Sequence, residues 1–262
     1  MNRYERHNTL IGLLGERHRL EVEAAASELG VSVATIRRDL DHLAEQQLLT
    51  RTRGGAVART VAYDLPQRYR SVRRLAQKER IAEAAAAMVG PSMVIGLNGG
   101  TTTTELARAI GEPGEPGEPG EPGGNAVTIV TNALNIAGEL AARPHIKVVT
   151  TGGVVMPQSY ELVGPLAGRV LREITLDIAF IGVDAVDPAL GASAHSEHEA
   201  SINALLVQRA RRLVVVADSR KLGTRAFARI CDPAEIDVLV TDSEAPERAA
   251  EFTQRGVRVV QV

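Results

Sequence analysis

The chain has 262 residues, of which 44% are hydrophobic and 24% charged, so it is long enough for one large or two modest domains and is typical of a folded globular protein. Aromatic residues make up only 3% and Trp is absent, which disfavours proteins that bind RNA or single strands by stacking bases on aromatic rings. The net charge is −2, but residues 1–80 carry +5 and residues 81–262 carry −7, so a polyanion such as nucleic acid is favoured as partner of the first region.

Three apolar stripes at helical spacing predict three short amphipathic helices near the start of the chain. Between the second and the third helix, Gly30 can adopt the left-handed conformation that ends a helix, and Ser32 can cap the next one. This arrangement predicts a helix-turn-helix. The stripes are formed by Leu10, Leu13 and Leu14, by Val22, Ala25, Ala26 and Leu29, and by Ile36, Leu40 and Leu43.

The polar residues of the third helix would lie on the face opposite its apolar stripe. Several of them would be close to the N-terminus of the helix. There Arg and hydroxyl side chains can reach base edges and phosphates in a DNA groove. A merely exposed face with an Arg37 to Asp41 ion pair is the alternative interpretation. Residues 48–57 predict two short strands around a Gly-Gly turn, a wing that follows a second stretch of phosphate. The candidate DNA-binding residues are Ser32, Thr35, Arg37, Arg38, Arg51 and Arg53.

The segment VSVATIRRDLDHLAEQQLLTRTRGGAV resembles the amino-terminal winged helix of DeoR-type bacterial transcription regulators, with IRRDL and RTRGGAV carrying the match. Members of that family pair this module with a sugar-phosphate-sensing domain. Glu21 departs from the family, which often has Ser at the start of the second helix. We therefore expect a winged helix-turn-helix in residues 1–57, a basic linker in 58–75, and an effector-binding and oligomerisation domain in 76–262.

Beyond a predicted helix at residues 78–89, short β-rich runs alternate with helical stretches and predict a mostly parallel α/β sheet. Residues 111–124 repeat Gly-Glu-Pro four times, which predicts an extended, solvated loop. The predicted strands are residues 93–97, 127–131, 146–150, 177–183, 213–217, 238–241 and 258–260.

Polar motifs follow six of these strands, at the carboxyl ends where open α/β sheets bind ligands. The first motif opens a helix, so its backbone N–H groups and hydroxyls can hold a phosphate, although a Gly-rich turn with a Thr cap is the plainer alternative. It matches neither a Walker loop nor a dinucleotide fingerprint, which disfavours ATP and NAD. The candidate phosphate-binding residues are Asn98, Gly99, Gly100, Thr101, Thr102 and Thr103.

The motifs IGLNGGTTTTELARAI, IVTNAL, TTGGVVMPQSYELVGPLA, DIAFIGVDAV and VVVADSRKLG resemble successive motifs of the DeoR-type sensor domain. That domain is similar in fold to ribose 5-phosphate isomerase and coenzyme A transferases, which implies a phosphorylated sugar bound at the rim of the sheet. Asn98 stands where the family often has Asp, and Asn203 where Lys is frequent, so the resemblance leaves the identity of the sugar open. The residues implied on the sugar side are Asn132, Gly152, Asp184, Glu199, Asp218 and Lys221.

A metal site is not predicted, because His195 and His198 stand beside Glu197 and Glu199 but no further His or Cys motif joins them. No cofactor is predicted either. We expect a DNA-binding transcription regulator, a repressor of a carbohydrate-catabolism operon that binds double-stranded operator DNA and is modulated by a phosphorylated sugar. The alternative is a phosphosugar isomerase-like or transferase-like enzyme with an accessory DNA-binding module.

Neither a run of 18 apolar residues nor a secretory leader is apparent, so we expect a cytoplasmic protein with no membrane partner. The single Cys231 excludes an intramolecular disulfide and is expected to be a small buried hydrophobe. One winged helix offers DNA a small interface, roughly 600 to 1,000 Å². A homodimer or homotetramer that doubles this interface is therefore expected.

Overall fold

The computed structural model forms two compact units, Met1–Arg74 and Leu75–Val262. Most of the predicted basic linker and of the Gly-Glu-Pro repeat lies outside the residues that the structure describes. No helix in the described part of the chain is long and apolar enough to cross a membrane. The described residues are 2–17, 19–45, 48–58, 74–112 and 126–262.

The first unit contains the three predicted helices and the predicted wing. Its core is built from the predicted apolar stripes, with Leu10, Ile36, Leu40 and Leu43 fully buried. Gly30 ends the second helix at a φ of 63°, as its position in the sequence predicts. The elements are α1 (Arg3–Arg17), β1 (Arg19–Glu21), α2 (Val22–Leu29), α3 (Val33–Glu45), β2 (Leu49–Thr52) and β3 (Gly55–Ala58).

Strand β1 was not predicted, because three residues are too few for a periodic pattern. It pairs with β3 and completes a three-stranded antiparallel sheet in the order β1-β3-β2. The pairing explains both glycines of the wing. Gly54 turns the chain at a φ of 87°, and a Cβ on Gly55 would overlap the carbonyl oxygen of Leu20. Glu21 ends β1 and precedes α2 without a side-chain capping bond.

The second unit is an α/β domain around one large sheet. Its helices are α4 (Leu75–Ala86), α5 (Thr101–Gly111), α6 (Leu134–Leu140), α7 (Pro165–Arg172), α8 (Glu197–Arg209) and α9 (Pro246–Gln254). Its strands are β4 (Val94–Leu97), β5 (Val127–Thr131), β6 (Ile146–Thr150), β7 (Val154–Val155), β8 (Leu162–Val163), β9 (Ile178–Gly182), β10 (Ala185–Asp187), β11 (Gly191–Ala194), β12 (Leu213–Val216), β13 (Ala228–Cys231), β14 (Val238–Thr241) and β15 (Arg258–Gln261).

The seven predicted strands are the seven strands of the large sheet, which is parallel throughout and has the order β15-β14-β12-β9-β4-β5-β6. Both faces are covered, because neighbouring residues of one strand enter different cores. Leu213 and Val215 pack in one core, and Val214 and Val216 in the other. The chain moves outward from β4 to β6, returns to β9 and moves outward again to β15. The strand order therefore reverses between β4 and β9, where open sheets of this kind bind ligands.

A three-stranded antiparallel sheet, β10-β11-β13, accompanies the large sheet and was not predicted. Its strands are three or four residues long and rich in Gly, Ala and Ser, so they carry little of the β-branched signal on which the prediction depended. Cys231 ends β13 and is buried, as expected. Burial raises the pKa of its thiol to about 11, so the thiolate is a minor species at neutral pH.

Candidate functional site

The N-terminal turn of α3 carries the first two candidate DNA-binding residues. Ser32 accepts a hydrogen bond from the backbone N–H of Thr35 at 3.1 Å, and the two hydroxyls lie 2.8 Å apart. Ser32 thus caps the helix as predicted. The hydroxyl pair fixes the conformation of the turn from which the exposed arginines of α3 project.

Three of the four candidate arginines are free to meet a partner. Arg37, Arg38 and Arg53 are exposed, and within the described ranges no ion pair or side-chain hydrogen bond holds them. Arg51 differs, because its Nε donates to Asp41 Oδ1 at 2.7 Å and its Nη1 donates to the Gly55 carbonyl. Asp41 is therefore paired with Arg51 of the wing, and not with Arg37 as in the alternative interpretation.

Asp39, within the IRRDL motif, is a functional candidate that the sequence reasoning missed. It is only 3% exposed, and its carboxylate accepts from Arg6 Nε at 2.5 Å and lies 3.0 Å from His7 Nε2. Burial opposes ionisation, but the bonds to Arg6 and His7 outweigh it and hold the pKa of Asp39 below its usual range. Its spacing from Ile36 and Leu43 places it on the buried stripe, a signal that could have revealed this link between α1 and α3.

In the second unit, Asn98 joins the two strands that flank the reversal of strand order. Its Nδ2 donates to the Gly182 carbonyl at 2.8 Å, and its Oδ1 accepts from the Gly182 N–H at 2.8 Å. The side chain is 1% exposed. Both ends of the amide are used within the protein, so Asn98 shapes the rim and does not extend its own side chain towards a ligand.

The following loop begins α5 with an uncapped helix end. Gly100 precedes the helix at a φ of 140°, and no side chain caps it. The Thr103 and Thr104 hydroxyls donate to the Gly100 carbonyl at 3.1 and 2.7 Å. Thr102 Oγ1 is buried and has no hydrogen-bond partner within the described protein. The first turn of α5 therefore offers its backbone N–H groups and one unsatisfied hydroxyl to an anion.

Glu161 gives one side of the rim an acidic character, and the sequence reasoning missed it. Its side chain lies so close to Gly99 that a Cβ there would overlap it, and it accepts from Asn132 Nδ2 at 3.1 Å. Ser159 continues the network, since its Oγ donates to Glu199 Oε1 at 2.5 Å. We call Glu161 and Glu199 the acidic end of the rim. Nothing in the pattern around position 161 marks this contact, which depends on the β7–β8 turn.

The chain after β12 gives the opposite side a basic character. Lys221 Nζ donates to the Val183 carbonyl at 2.6 Å, one residue beyond the Gly182 that Asn98 holds. Arg220 Nε lies 3.1 Å from Asp218 Oδ1. Burial opposes ionisation of Asp218, but the charges of Lys221 and Arg220 outweigh it and keep the pKa of Asp218 below its usual value.

Lys78, on α4, belongs to the same side and is another residue that the sequence reasoning missed. It is 4% exposed, and its ammonium group is subject to the charges of Lys221, Asp218 and Arg220. We call Lys78, Arg220 and Lys221 the basic end of the rim. Lys78 precedes the buried Ile81 by three residues, so the helical period again carried the signal.

The structure does not bring every predicted rim residue to the centre. Gly152 is exposed after β6, two strands or about 10 Å from β4. Asp184 follows β9 and accepts from the His195 N–H at 2.9 Å, which fixes the start of the segment leading to α8. In the described part of the chain, no group of three or more His, Cys, Asp or Glu side chains is placed to hold a metal ion.

Two family models match the chain. The model described as the DeoR-like helix-turn-helix domain matches residues 6–61, and the model described as the DeoR C terminal sensor domain matches residues 73–243. Together they span both structural units.

Curated relatives match over almost the whole length. The HTH-type transcriptional regulator GlpR of Haloferax volcanii is 34% identical over 259 residues, covering 98% of this chain and 96% of the relative. The glycerol-3-phosphate regulon repressor of Escherichia coli is 26% identical over 246 residues, covering 94% and 93%. Among solved structures, ribose 5-phosphate isomerase A of Methanocaldococcus jannaschii matches 55% of this chain and 52% of its own, at 22% identity and a TM-score of 0.37.

Proposed function

The chain belongs to the DeoR family of DNA-binding transcription regulators, and we propose that it represses an operon of carbohydrate catabolism and that a phosphorylated sugar modulates this repression. The observation that carries the proposal is the rim at the reversal of strand order, where Glu161 contacts Asn132 after β5 and Lys221 contacts Val183 after β9. The rim thus carries acidic and basic side chains at different strand ends. A sugar phosphate has the matching chemistry, with hydroxyls that donate to carboxylates and an anionic group that binds cations. The name of the Escherichia coli relative, a repressor of the glycerol-3-phosphate regulon, agrees with this class of ligand.

For the DNA contact, we place the N-terminal half of α3 in the major groove. Arg37 and Arg38 project from this helix towards bases and phosphates of the DNA. Arg53 extends from the wing to the phosphate backbone of the DNA. Ser32 and Thr35 contribute hydroxyls at the helix end. Arg51 holds the wing against α3 through Asp41, so its share of the affinity is smaller than that of the three free arginines.

For the effector, we place the phosphate at the first turn of α5, on the loop of residues 98–103, and the hydroxyls towards Asn132 and Glu199. Thr102 Oγ1 and Asn132 Oδ1 support this placement, because a buried oxygen without a partner is costly. The Thr102 hydroxyl can donate to the phosphate, and Asn132 Oδ1 can accept from a sugar hydroxyl. The buried Glu161 carboxylate repels a phosphate at Gly99, so the anion lies towards the basic end. Gly152, Asp184 and Asp218 then border the site.

Two copies of the winged helix are needed for a specific site of useful affinity, so the working protein is a homodimer or a homotetramer. Light scattering of the free protein and of its complex with DNA measures this directly. A monomer in both samples at micromolar concentration would contradict the proposal. The enzyme alternative has no support from the relatives, which are named transcriptional regulators.

The experiment that tests the proposal begins with an operator selected by the protein itself from a pool of random duplexes. Fluorescence anisotropy then measures operator affinity with glycerol 3-phosphate, ribose 5-phosphate and other phosphorylated sugars, each against its unphosphorylated parent. We expect one phosphorylated compound to change operator affinity by about 5- to 150-fold. An operator affinity that no compound changes would contradict the sensing role, and an equal effect of the parent sugar would contradict the phosphate assignment.

A further inference from the structure

We propose that two copies of this chain associate through the outer face of the small antiparallel sheet, with Phe227 of each copy seated in a groove of the other. The inference rests on the proposed function, because a regulator that binds a repeated DNA site needs two winged helices. It deepens that proposal by assigning the association to one surface and one side chain.

The groove lies on one face of the sheet β10-β11-β13. The other face packs into the core of the second unit, because Val186, Ala192 and Cys231 form a row across the three strands and all belong to that core. Ser193 stands opposite Arg229 in the neighbouring row, so both side chains point away from the core. The groove on this outer face has a volume of about 330 Å³, comparable with the smaller ligand pockets of proteins, so an aromatic side chain fits inside.

Small residues create the depression. Its lining includes Ala189, Gly191, Ser193 and Ala226, which leave the surface without bulky side chains. Gly191 approaches β13 so closely that a Cβ on it would overlap the carbonyl oxygen of Cys231. The sequence therefore keeps open a space that a protruding side chain of a partner can fill.

Phe227 stands at the edge of the groove and is 81% exposed, more than any other large hydrophobic side chain in the described ranges. The other two Phe residues of the chain, Phe180 and Phe252, are buried. Contact of an aromatic ring with water costs free energy, which burial against a partner recovers. Leu190 lines the same groove and is also exposed, so the ring is one part of an apolar surface.

The segment that carries Phe227 is held in place by hydrogen bonds. The N–H of Ala226 donates to Ser193 Oγ at 3.0 Å, and Arg225 Nε donates to Asp187 Oδ2 at 3.0 Å. Strand β13 begins directly after Phe227. The ring therefore projects from a fixed backbone, which lowers the entropic cost of association.

The charges at the groove favour a second copy as its occupant. Two cations, Arg225 and Arg229, and two carboxylates, Asp187 and Asp232, line it, so their formal charges cancel. A nucleic acid or an acidic partner would need an excess of positive charge. A surface that meets its own copy needs both signs in balance, because the cations of one copy face the carboxylates of the other.

The position of Phe227 also fits a two-fold axis. In an interface with two-fold symmetry both copies use the same surface, so the inserting side chain and the receiving groove must lie side by side. Phe227 meets this condition, because it forms part of the groove wall. Specific interfaces bury about 800 Å² on each partner, so the groove is the centre of the contact and the charged side chains form its polar border.

Photochemical cross-linking tests which surfaces meet. In the full-length protein Phe227 is replaced by p-benzoylphenylalanine, a photoreactive analogue of phenylalanine. ¹⁵N-labelled and unlabelled protein are mixed, allowed to exchange subunits and irradiated, and mass spectrometry of the digest identifies peptides joined between copies. We expect position 227 of one copy to be joined to residues 187–193 of the other. Links between copies that end outside the groove, or links within one copy only, would overturn the proposal.

Sedimentation equilibrium of Phe227→Asp measures how much the ring contributes. The side chain lies outside the core, so the variant should keep the wild-type circular dichroism spectrum. We expect the dissociation constant of the two copies to rise at least about 30-fold, as for a central interface residue. Leu166→Asp changes another exposed large hydrophobic side chain and is the matched control, with the wild-type dissociation constant. Wild-type association of Phe227→Asp would overturn the proposal.

The outcomes separate this inference from the function on which it rests. If the wild-type protein is monomeric both free and bound to its operator, the proposed homo-oligomer and the inference fail together. If the wild type associates and Phe227→Asp associates equally well, only the inference fails, and the groove takes a different occupant.

DNA binding supplies a further readout. Phe227→Asp should bind the complete selected operator more weakly than the wild type but keep wild-type affinity for a duplex with a single half-site. Wild-type affinity of a monomeric variant for the complete operator would contradict the need for two copies, which belongs to the proposed function, and would leave the assigned surface standing.

Discussion

The two units carry their candidate binding residues in opposite ways. In the first unit Arg37, Arg38 and Arg53 stand exposed above a small apolar core, whereas in the second unit Asn98 and Lys78 are almost completely buried. A DNA duplex can be bound by exposed side chains that play no part in the packing of the protein core. A small ligand has to be enclosed in a pocket, so the residues that bind it also belong to the packed interior. We therefore expect substitutions to separate stability from binding in the first unit and to affect both together in the second.

Asp39 is the exception that tests this contrast most strongly, because it is buried in the unit with the exposed sites. Asp39→Ala leaves Arg6 without its carboxylate, and breaking such a pair costs about 3 kcal/mol or more of unfolding free energy. Urea unfolding of the variant measures this loss. Asp41→Ala, the exposed neighbour on the same helix, is the matched control and is expected to lose less than about 1 kcal/mol.

The same residue predicts a pH dependence. Because the folded pKa of Asp39 lies below the unfolded value, its contribution is complete above the unfolded pKa and is lost as the pH falls through the folded one. Wild type should therefore lose stability in acid faster than Asp39→Ala. Parallel acid profiles of the two proteins would place the stabilising charge elsewhere.

Asn98 tests the second half of the contrast. Asn98→Ala removes both bonds to Gly182 and leaves a buried N–H and carbonyl unpaired, which costs roughly 2 to 4 kcal/mol. Since the same bonds hold the two strands that flank the rim, binding of a phosphorylated sugar should be lost as well. Calorimetry at a temperature where the variant is folded measures the second effect.

Asn98→Asp sharpens this prediction, because Asp can accept from the Gly182 N–H but cannot donate to the Gly182 carbonyl when ionised. We expect it to be less stable than wild type at pH 7. A variant of equal or greater stability would mean that the strand contact does not depend on the amide.

The exposed arginines test whether binding can be lost without stability. Arg37→Ala, Arg38→Ala and Arg53→Ala are each expected to change unfolding free energy by less than about 0.5 kcal/mol. Each should nevertheless weaken operator binding, by about 1 to 3 kcal/mol for a contact to a base, or reduce the salt slope by about 1 for a contact to a phosphate. Anisotropy titrations across salt concentrations distinguish the two cases.

Arg51→Ala is the matched control for Arg53→Ala within the wing. Its bonds to Asp41 and the Gly55 carbonyl should make it the less stable of the two variants, with the smaller change in salt slope. If all three free arginines can be removed without loss of operator affinity, the proposed docking of α3 and the wing is wrong.

Glu21 gives the smallest expected effect. It precedes α2 in extended conformation but makes no capping bond, and Ser would supply a hydroxyl acceptor there. Glu21→Ser should therefore stabilise the protein by about 0.5 to 1 kcal/mol and leave DNA affinity unchanged. Thermal unfolding measures the gain. A loss of stability would show that Glu21 contributes more to β1 than its exposed side chain suggests.

The sequence predicts the helices and strands of the fold better than it predicts the residues of the candidate site. Strands such as β5 and β12 are recognised because their β-branched runs lie between helical stretches, and the parallel sheet then brings their polar ends to one edge. Strand β1 and the antiparallel sheet could not be predicted in this way, because their strands are short and are stabilised by pairing with segments distant in the chain.

The site residues that were not predicted fall into two groups, those with a signal in the local sequence and those whose contacts depend on tertiary packing alone. Asp39 lies three residues after Ile36, and Lys78 lies three residues before Ile81, so the helical period places both on the buried face of their helix. A charged side chain at such a position is the signal that could have revealed them. Glu161 reaches Gly99 across about 60 residues of chain, through a short turn between β7 and β8. No local pattern encodes such a contact, because its geometry is set by tertiary packing.

The central claim is that a phosphorylated sugar at the rim and operator DNA at the winged helix affect each other's binding. Calorimetry of the sugar phosphate identified by anisotropy, with the protein free and saturated with its selected operator, tests it most directly. Because coupling is reciprocal, the sugar's affinity should differ between the two states by the same factor, about 5- to 150-fold, by which the sugar changes operator affinity. Equal sugar affinity in the free and DNA-bound protein would contradict the account.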